Sequence, residues 1–501
     1  MVRKMLYSLS LQTRIFDFHS SAFVAVLHEK DALDLGVRAL DRVEVLNPKL
    51  KRSAVAVIDI TEREVRKGEI GLFEELRKEL LIKKPVKVEV RAVPALESVS
   101  FIRKKIRGEK LSSVEIQKIV QDINAGKISE LELSAFMTSV FIRGFDIEET
   151  VSMTNALLSN GKRIEFAKKP IVDKHCIGGI NGRSTLVLVP VIAAAGYCIP
   201  KTSSKAITSA AGTADSMECL ANASLPLKKL KQVVEKTNAC IAWGGALDLA
   251  PVDDKIIKVE HPLKLDPQGQ IIASVMAKKA AVGSKFVVID LPVGPEVKLA
   301  SEEKALEISE KFKKVGEALG IKVKSLITNG RLPCGPAFGP ALEAKHALQI
   351  LEGRVFDALA EKSCRLAAVL FSMVEECSEE QGFKRAKEII ESGKALEKMQ
   401  EIIQAQGGKR ISSEGISVGR FMQAVLAKRN GKIVSASVKK LATIAREAGA
   451  PADKGAGVWI SAMPGSFVRK NDVLFEIFAE NERKLAEALS LAEKLQAIEV
   501  Q

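Results

Sequence analysis

The chain has 501 residues, too many for one ordinary hydrophobic core, and two to four domains are expected. Apolar residues make up 47% and charged residues 28%, which excludes a mostly disordered polymer. Lysine and arginine number 76 against 62 acidic residues; the net charge of +14 suits an anionic partner, while 5% aromatic content argues against base stacking on single-stranded nucleic acid.

The longest apolar run, 186–199, is interrupted by Pro190 and Gly196 and falls short of the ~20 residues of a membrane-spanning helix. The start, MVRKMLYSLSLQ, lacks a sustained apolar stretch, so no secretory signal is expected. Seven scattered cysteines form no CxxC pair, which predicts free thiols in a reducing cytoplasm.

In chain order, short β-branched segments at 22–27, 43–46, 54–60 and 86–90 predict a β-rich N-terminal domain, 1–92, with barrel character. Its basic runs, 49–52 and 83–84, read as solvated loops. A helical domain follows over 93–162. Ser112 and Glu115 have capping-box form, and Ile116, Ile119, Val120 and Ile123 share one helix face. Ser129 with Glu132 opens a second helix, and Asp146 caps a third. From 163 to 408 the pattern becomes strand, glycine-rich loop, helix, with strands at 171–172, 285–291 and 322–328, as in a mostly parallel α/β sheet. Residues 409–501 predict an α+β tail with strands at 457–461 and 473–478 and a last helix over 480–495. The fold class is therefore α/β multidomain.

Two loops carry the chemistry. DKHCIGGINGRST at 173–185 places Gly178, Gly179 and Gly182 before a helix, where backbone N–H groups meet an anion, and Lys174 adds charge. Its glycine spacing is not GxxxxGK[ST], and Arg183 stands where that motif needs lysine, so an ATPase is excluded. TSSKAITSAAGTAD at 202–215 gathers hydroxyls around Lys205 and Gly212, donors for phosphate and sugar oxygens.

VDKHCIGGINGRSTLVLVP, IPKTSSKAITSAAGTADSME, IIASVMAKK and NGRLPCGPAFGPALE together resemble the thymidine and pyrimidine-nucleoside phosphorylase family. The N-terminal extension, SSKAITSAAGTAD and VEHPLKLDPQG are similar to its archaeal AMP phosphorylases. That resemblance implies phosphorolysis of AMP, with CMP and UMP as further candidates, to free base and ribose 1,5-bisphosphate. It makes 250–282 a second segment of the helical domain, with hinges near 160–170, 245–250 and 281–285. It assigns phosphate to Lys174, Cys176, Thr185, Ser203 and Thr213, and the nucleotide to Gly178, Ser204, Lys205, Ala206, Ile207, Thr208, Ser209, Thr213, Ser274, Lys278 and Lys298. Asp266, Lys174 and His175 are the implied catalytic residues, with Asp266 protonating the leaving base; a carboxyl of ordinary pKa ~3.9 must be raised toward 7 for that role. The two anions in such a site call for more than one cation, and Lys174, Lys205, Lys278 and Lys298 are the candidates.

Three departures stand out. Cys176 replaces the usual serine with a weak donor. Lys205 stands where arginine is common, losing a bidentate fork. Val259 stands where pyrimidine enzymes carry a base-reading arginine, which argues against a thymidine-type pocket. His261-Pro262 is expected to shape the base pocket or begin a turn. A phosphoribosyltransferase would need a metal-binding acidic pair; Asp253-Asp254, which follows Pro251 and is expected in a turn, is the one tempting pair. No cofactor, no metal, no membrane and no nucleic acid are expected, and a homodimer or larger homo-oligomer is.

Overall fold

The computed structural model describes residues 7–20, 23–93, 96–167, 170–206 and 209–501. Two compact units divide it, Met1–Asn160 with Pro251–Ala273 and Gly161–Ala250 with Ser274–Gln501.

The first unit begins with a closed six-stranded barrel. Its strands are β1 (Ser8–Ile15), β2 (Val24–His28), β3 (Arg42–Asn47), β4 (Arg52–Thr61), β5 (Glu69–Leu72) and β6 (Lys87–Ala92), with α1 (Glu29–Leu35) and α2 (Glu74–Glu79) between them. The order is β1-β5-β2-β4-β3-β6, and β6 pairs back to β1. Closure removes free strand edges. Alternation along β3, β4 and β6 sends Val43, Val45, Ala56, Ile58, Val88 and Val90 inward, where all are fully buried. Sequence alternation found β2, β3, β4 and β6 but not β1 or β5.

The helices α3 (Glu97–Ile106), α4 (Ser113–Asn124), α5 (Glu130–Arg143) and α6 (Ile147–Ser159) follow. Ser112, Ser129 and Asp146 each cap a helix as expected, all three as full capping boxes. Glu149 also reaches the buried Lys105 ammonium at 2.7 Å and accepts from Leu111 N at 2.9 Å, which satisfies a carboxylate that burial would otherwise penalise.

The second unit opens with β7 (Val172–Cys176), α7 (Ser184–Ala194), β8 (Ile199–Ser203), α8 (Thr213–Met217), α9 (Leu227–Thr237) and β9 (Ala239–Trp243). Residues Ser184–Ala193 of α7 are buried all round, as an apolar helix in the centre of a core must be. The chain then supplies α10 (Pro251–Leu263) and the start of α11 (Gln268–Ala281) to the first unit. Lys255 on α10 donates to the carbonyls of Ile123 and Asn124 at the end of α4, which seats that second segment.

Two sequence expectations are corrected here. Asp253-Asp254 is not in a turn: both open α10, and Asp253 is buried, accepting from Gln270 Nε2 at 3.1 Å. Pro251 can lead that helix because a first-turn N–H needs no helical partner. His261-Pro262 starts no turn either; it lies in the last turn of α10 with both residues exposed.

The α/β body continues with β10 (Phe286–Val293), α12 (Glu302–Ala318), β11 (Lys322–Asn329), β12 (Ala337–Phe338), α13 (Pro340–Leu351), α14 (Ala358–Val374), α15 (Glu379–Glu391) and α16 (Lys394–Ala405). Strands β11, β10 and β7 form one parallel sheet, β8 and β9 another, and a parallel bridge between Ile171 and Cys198 links them. The resulting order is β11-β10-β7-β8-β9. The chain runs outward from β7 to β9, then returns to the other side of β7 for β10 and β11. Such a reversal is a topological switch point, where a crevice opens at the carboxyl ends of the strands. The loops after β7 and β10 flank it.

The tail adds β13 (Phe421–Leu426), β14 (Gly431–Ala436), α17 (Val438–Glu447), β15 (Gly457–Ile460), β16 (Phe467–Val468), β17 (Val473–Ala479), α18 (Glu482–Leu495) and β18 (Ile498–Val500). Its four-stranded sheet, β12-β15-β17-β13, recruits Ala337–Phe338 from the 329–343 motif. Among the described residues, no helix is long and apolar enough to cross a membrane.

Candidate active site

Alternation along β7 sends Lys174 and Cys176 to one face of the sheet, and Asp173 and His175 to the other. On the first face, Lys174 Nζ donates to Ser184 Oγ at 3.0 Å and lies 3.9 Å from Asp290 Oδ2. Asp290, on β10, is fully buried. It receives the Lys362 ammonium at 2.8 Å and the Thr328 hydroxyl at 2.7 Å. Burial alone would raise the Asp290 carboxyl; Lys362 and Lys174 outweigh it and hold the group below its ordinary value. Burial, with Lys362 and Arg183, pulls the Lys174 ammonium below the usual lysine range against the opposing pull of Cys176 and Asp290.

On the second face, Lys279 of α11 pairs with the buried Asp173 at 2.8 Å. Lys201, on β8, is also buried and donates to the Thr202 carbonyl. Burial, then repulsion from Lys279, drives its pKa well below the ordinary value. His175 is pushed well down too, by burial and then by Lys279, Lys201, Lys174 and Lys278, so it meets neutral pH as an uncharged imidazole. Each face thus holds two buried lysines around one buried aspartate. An excess of buried positive charge is costly until an anion arrives.

The glycine loop after β7 is held from outside. Asn181 Oδ1 accepts from Cys334 N at 2.8 Å, and its Nδ2 donates to the carbonyls of Gly335 and Ala337 at 2.9 and 3.1 Å. Arg183 pairs with the buried Glu343. The motif at 329–343 is therefore the buttress of the first loop. Gly179 has φ +92, and a Cβ there would lie 3.0 Å from Val297 Cα and 3.2 Å from Lys298 N. The loops after β7 and β10 thus touch, and Lys298 joins the glycine loop.

The second loop is scaffolded by Asp215, whose Oδ2 accepts from Ala206 N at 2.7 Å and Gly212 N at 2.9 Å. Ser203 and Thr213 are partly buried at its two ends, Ser204 is exposed, and Ser209 Oγ donates to Ala211 O at 2.9 Å. Ile207 and Thr208 lie outside the described residues. Lys205 does not stand as an open cation: its ammonium lies 2.6 Å from Glu218 and 4.6 Å from the Trp243 ring centroid. Glu218 also takes Lys454 at 2.9 Å.

Thr185 is buried in the first turn of α7, one residue after the serine that Lys174 contacts. Ser274 and Lys278 lie partly buried on α11, and Lys298 is exposed after β10. Asp266 belongs to the other unit, exposed in the segment between α10 and α11. Burial pushes the Cys176 thiol up, so it is a neutral, weak donor.

Sequence reasoning missed Asn181, Lys201, Asp215, Asp290 and Lys362. Asp290 could have been found as the one charged residue in the otherwise apolar FVVIDLPV. Lys362 could have been found in line with Leu359 and Leu366 on the buried face of α14.

The glycosyl transferase family model for a helical bundle domain matches residues 99–161, and the glycosyl transferase family model for an a/b domain matches residues 168–396. The chain is 46% identical to AMP phosphorylase 1 of Archaeoglobus fulgidus, over 95% of this chain and 94% of that protein. It is 42% identical to the AMP phosphorylase of Pyrococcus furiosus, over 97% of each. Among solved structures, anthranilate phosphoribosyltransferase from Thermus thermophilus superposes with a TM-score of 0.53 at 18% identity, over 61% of this chain and 98% of that one. That likeness speaks for the fold alone. With both domain models matched and relatives above 40% identity along nearly its whole length, the chain belongs to the AMP phosphorylase family of glycosyl transferases.

Proposed function

We propose that the protein cleaves the N-glycosidic bond of AMP with inorganic phosphate, giving adenine and ribose 1,5-bisphosphate. The observation that carries this reading is the excess of buried lysines around β7, at a topological switch point flanked by the glycine loop. Orthophosphate is held by Lys174, the Gly178 backbone, Thr185, Ser203 and Thr213, with Cys176 adding little. The nucleotide is read by the 204–209 loop, Ser274, Lys278 and Lys298. The ribosyl carbon gains positive charge as its bond to the base lengthens, and the adjacent phosphate stabilises that charge. Asp266 supplies the proton that lets the purine leave; since it is exposed here, this role needs burial in the substrate complex. His175, uncharged, can orient sugar or base through a ring nitrogen.

Four domains, with boundaries near 92, 162 and 408, a homo-oligomeric assembly and a cytoplasmic location complete the proposal. Seven free cysteines support the reducing compartment.

The test is incubation with AMP, CMP, UMP, adenosine and thymidine, each with and without phosphate, scoring released base. Phosphate-dependent release from AMP above adenosine and thymidine is expected. Release that ignores phosphate, or that favours thymidine, contradicts the reading. Within the same assay, Lys298→Ala should weaken AMP more than adenosine, and an equal loss for both would remove Lys298 from the 5′-phosphate.

A further inference from the structure

Lys174 and Lys362 approach the same buried oxygen, Asp290 Oδ2, at 3.9 and 2.8 Å. Only the second is a close ion pair. The other carboxylate oxygen is occupied by the Thr328 hydroxyl at 2.7 Å. Lys174 instead reaches Ser184 Oγ at the first turn of α7, beside the glycine loop. The carboxylate is thus filled by groups other than the lysine assigned to phosphate.

Lys362 is firmly placed for this. It lies in the second turn of α14, whose start is capped by Asp357 Oδ1, accepting from Leu359 N at 3.0 Å and Ala360 N at 3.2 Å. Asp357 Oδ2 is in turn held by the buried His346 at 3.0 Å. We propose that Lys362 is a positioning residue that occupies Asp290 and thereby keeps the Lys174 ammonium available to orthophosphate. The proposal rests on the reading of Lys174 as a phosphate ligand.

Without Lys362, Asp290 would keep a buried negative charge with one cation within reach, and Lys174 needs to move only about 1 Å to pair with it at ordinary hydrogen-bond distance. It would then be withdrawn from the anion. The directions of titration agree: burial lowers Lys362, but Asp290 outweighs it and raises the ammonium above the ordinary lysine value, so it stays charged, while burial pulls Lys174 down.

The test is steady-state kinetics on full-length wild type, Lys362→Met, Lys362→Arg and the double variant Lys362→Met/Asp290→Asn. In Lys362→Met, KM for phosphate should rise about 10- to 100-fold, the worth of one hydrogen bond to a charged group, while KM for AMP changes far less. Lys362→Arg should recover part of that loss. The double variant, with no carboxylate left to capture Lys174, should recover most of it. Because it removes the ammonium and the carboxylate charge together, it leaves no buried carboxylate unpaired, and it also carries the test should Lys362→Met fail to fold. A double variant as impaired for phosphate as the single one, or more than about 50-fold worse than wild type, would overturn the proposal, since Lys362 would then act on the anion itself. Wild-type protein that released no base from AMP with phosphate would retire the underlying assignment of Lys174 as well.

Discussion

Gly182 is where backbone geometry and anion binding meet most tightly. Its φ is +80, and a Cβ there would lie 2.2 Å from the Cys334 carbonyl oxygen. Alanine in a left-handed conformation costs roughly 1–2 kcal/mol. The contact is the larger problem: the two backbones must separate by about 1 Å to reach ordinary van der Waals distance. Cys334 cannot retreat freely, because Asn181 ties this loop to residues 334, 335 and 337 by three hydrogen bonds. The glycine loop would give way instead. A 1 Å displacement of binding groups can cost on the order of 10²-fold in rate. Gly182→Ala should therefore lower kcat/KM for phosphate about 100-fold at saturating AMP. Gly196→Ala is the comparison: its φ is +97 but nothing lies within 4 Å of the added Cβ. It should lose only about 1–2 kcal/mol of stability, a few degrees in melting temperature, with phosphate kinetics near wild type. Wild-type phosphate kinetics in Gly182→Ala would refute the idea that close packing against Cys334 holds an anion-binding loop in place.

Cys176→Ser restores a competent hydroxyl donor at the phosphate loop, and KM for phosphate should fall about 5-fold, the worth of ~1 kcal/mol; an unchanged value would show that residue 176 does not face the anion. Lys174 titrates below the ordinary lysine value of ~10.4, so it loses its charge earlier as pH rises. KM for phosphate should accordingly climb from neutral pH toward pH ~10, and Lys174→Arg should flatten that climb; a flat profile in the wild type would contradict Lys174 as the cation. Asp266→Asn should keep AMP binding, read by calorimetry, while losing most turnover, and equal turnover would remove Asp266 as the acid.

Local signals in the sequence located much of the fold. Ser112, Ser129 and Asp146 announced three helices because a cap and its partner lie three residues apart. Strand β10 showed through its run of β-branched residues. Strand β1 did not, because SLSLQTRI buries only Leu11 and Thr13 and its polar residues blur the alternation. Strand β5 is only four residues long. The prolines at 251 and 262 suggested turns, yet Pro251 opens α10, where a first-turn N–H needs no helical partner, and Pro262 lies within its last turn.

At the site, both loops were legible from their glycines and hydroxyls. Their supports were not. Asn181 acts on residues more than 150 positions away, and Asp290 meets Lys362 only because β10 and α14 pack together. Lys205 looked like an anion-reading cation until Glu218, thirteen residues on and folded back beside it, claimed the charge.

The most direct test of the whole account is a crystal structure of the protein grown with orthophosphate. The account predicts the anion on the Gly178 backbone within hydrogen-bond reach of the Lys174 ammonium and the hydroxyls of Thr185, Ser203 and Thr213. An anion bound elsewhere, with Lys174 still turned to Ser184 and both loops empty at saturating phosphate, would contradict it.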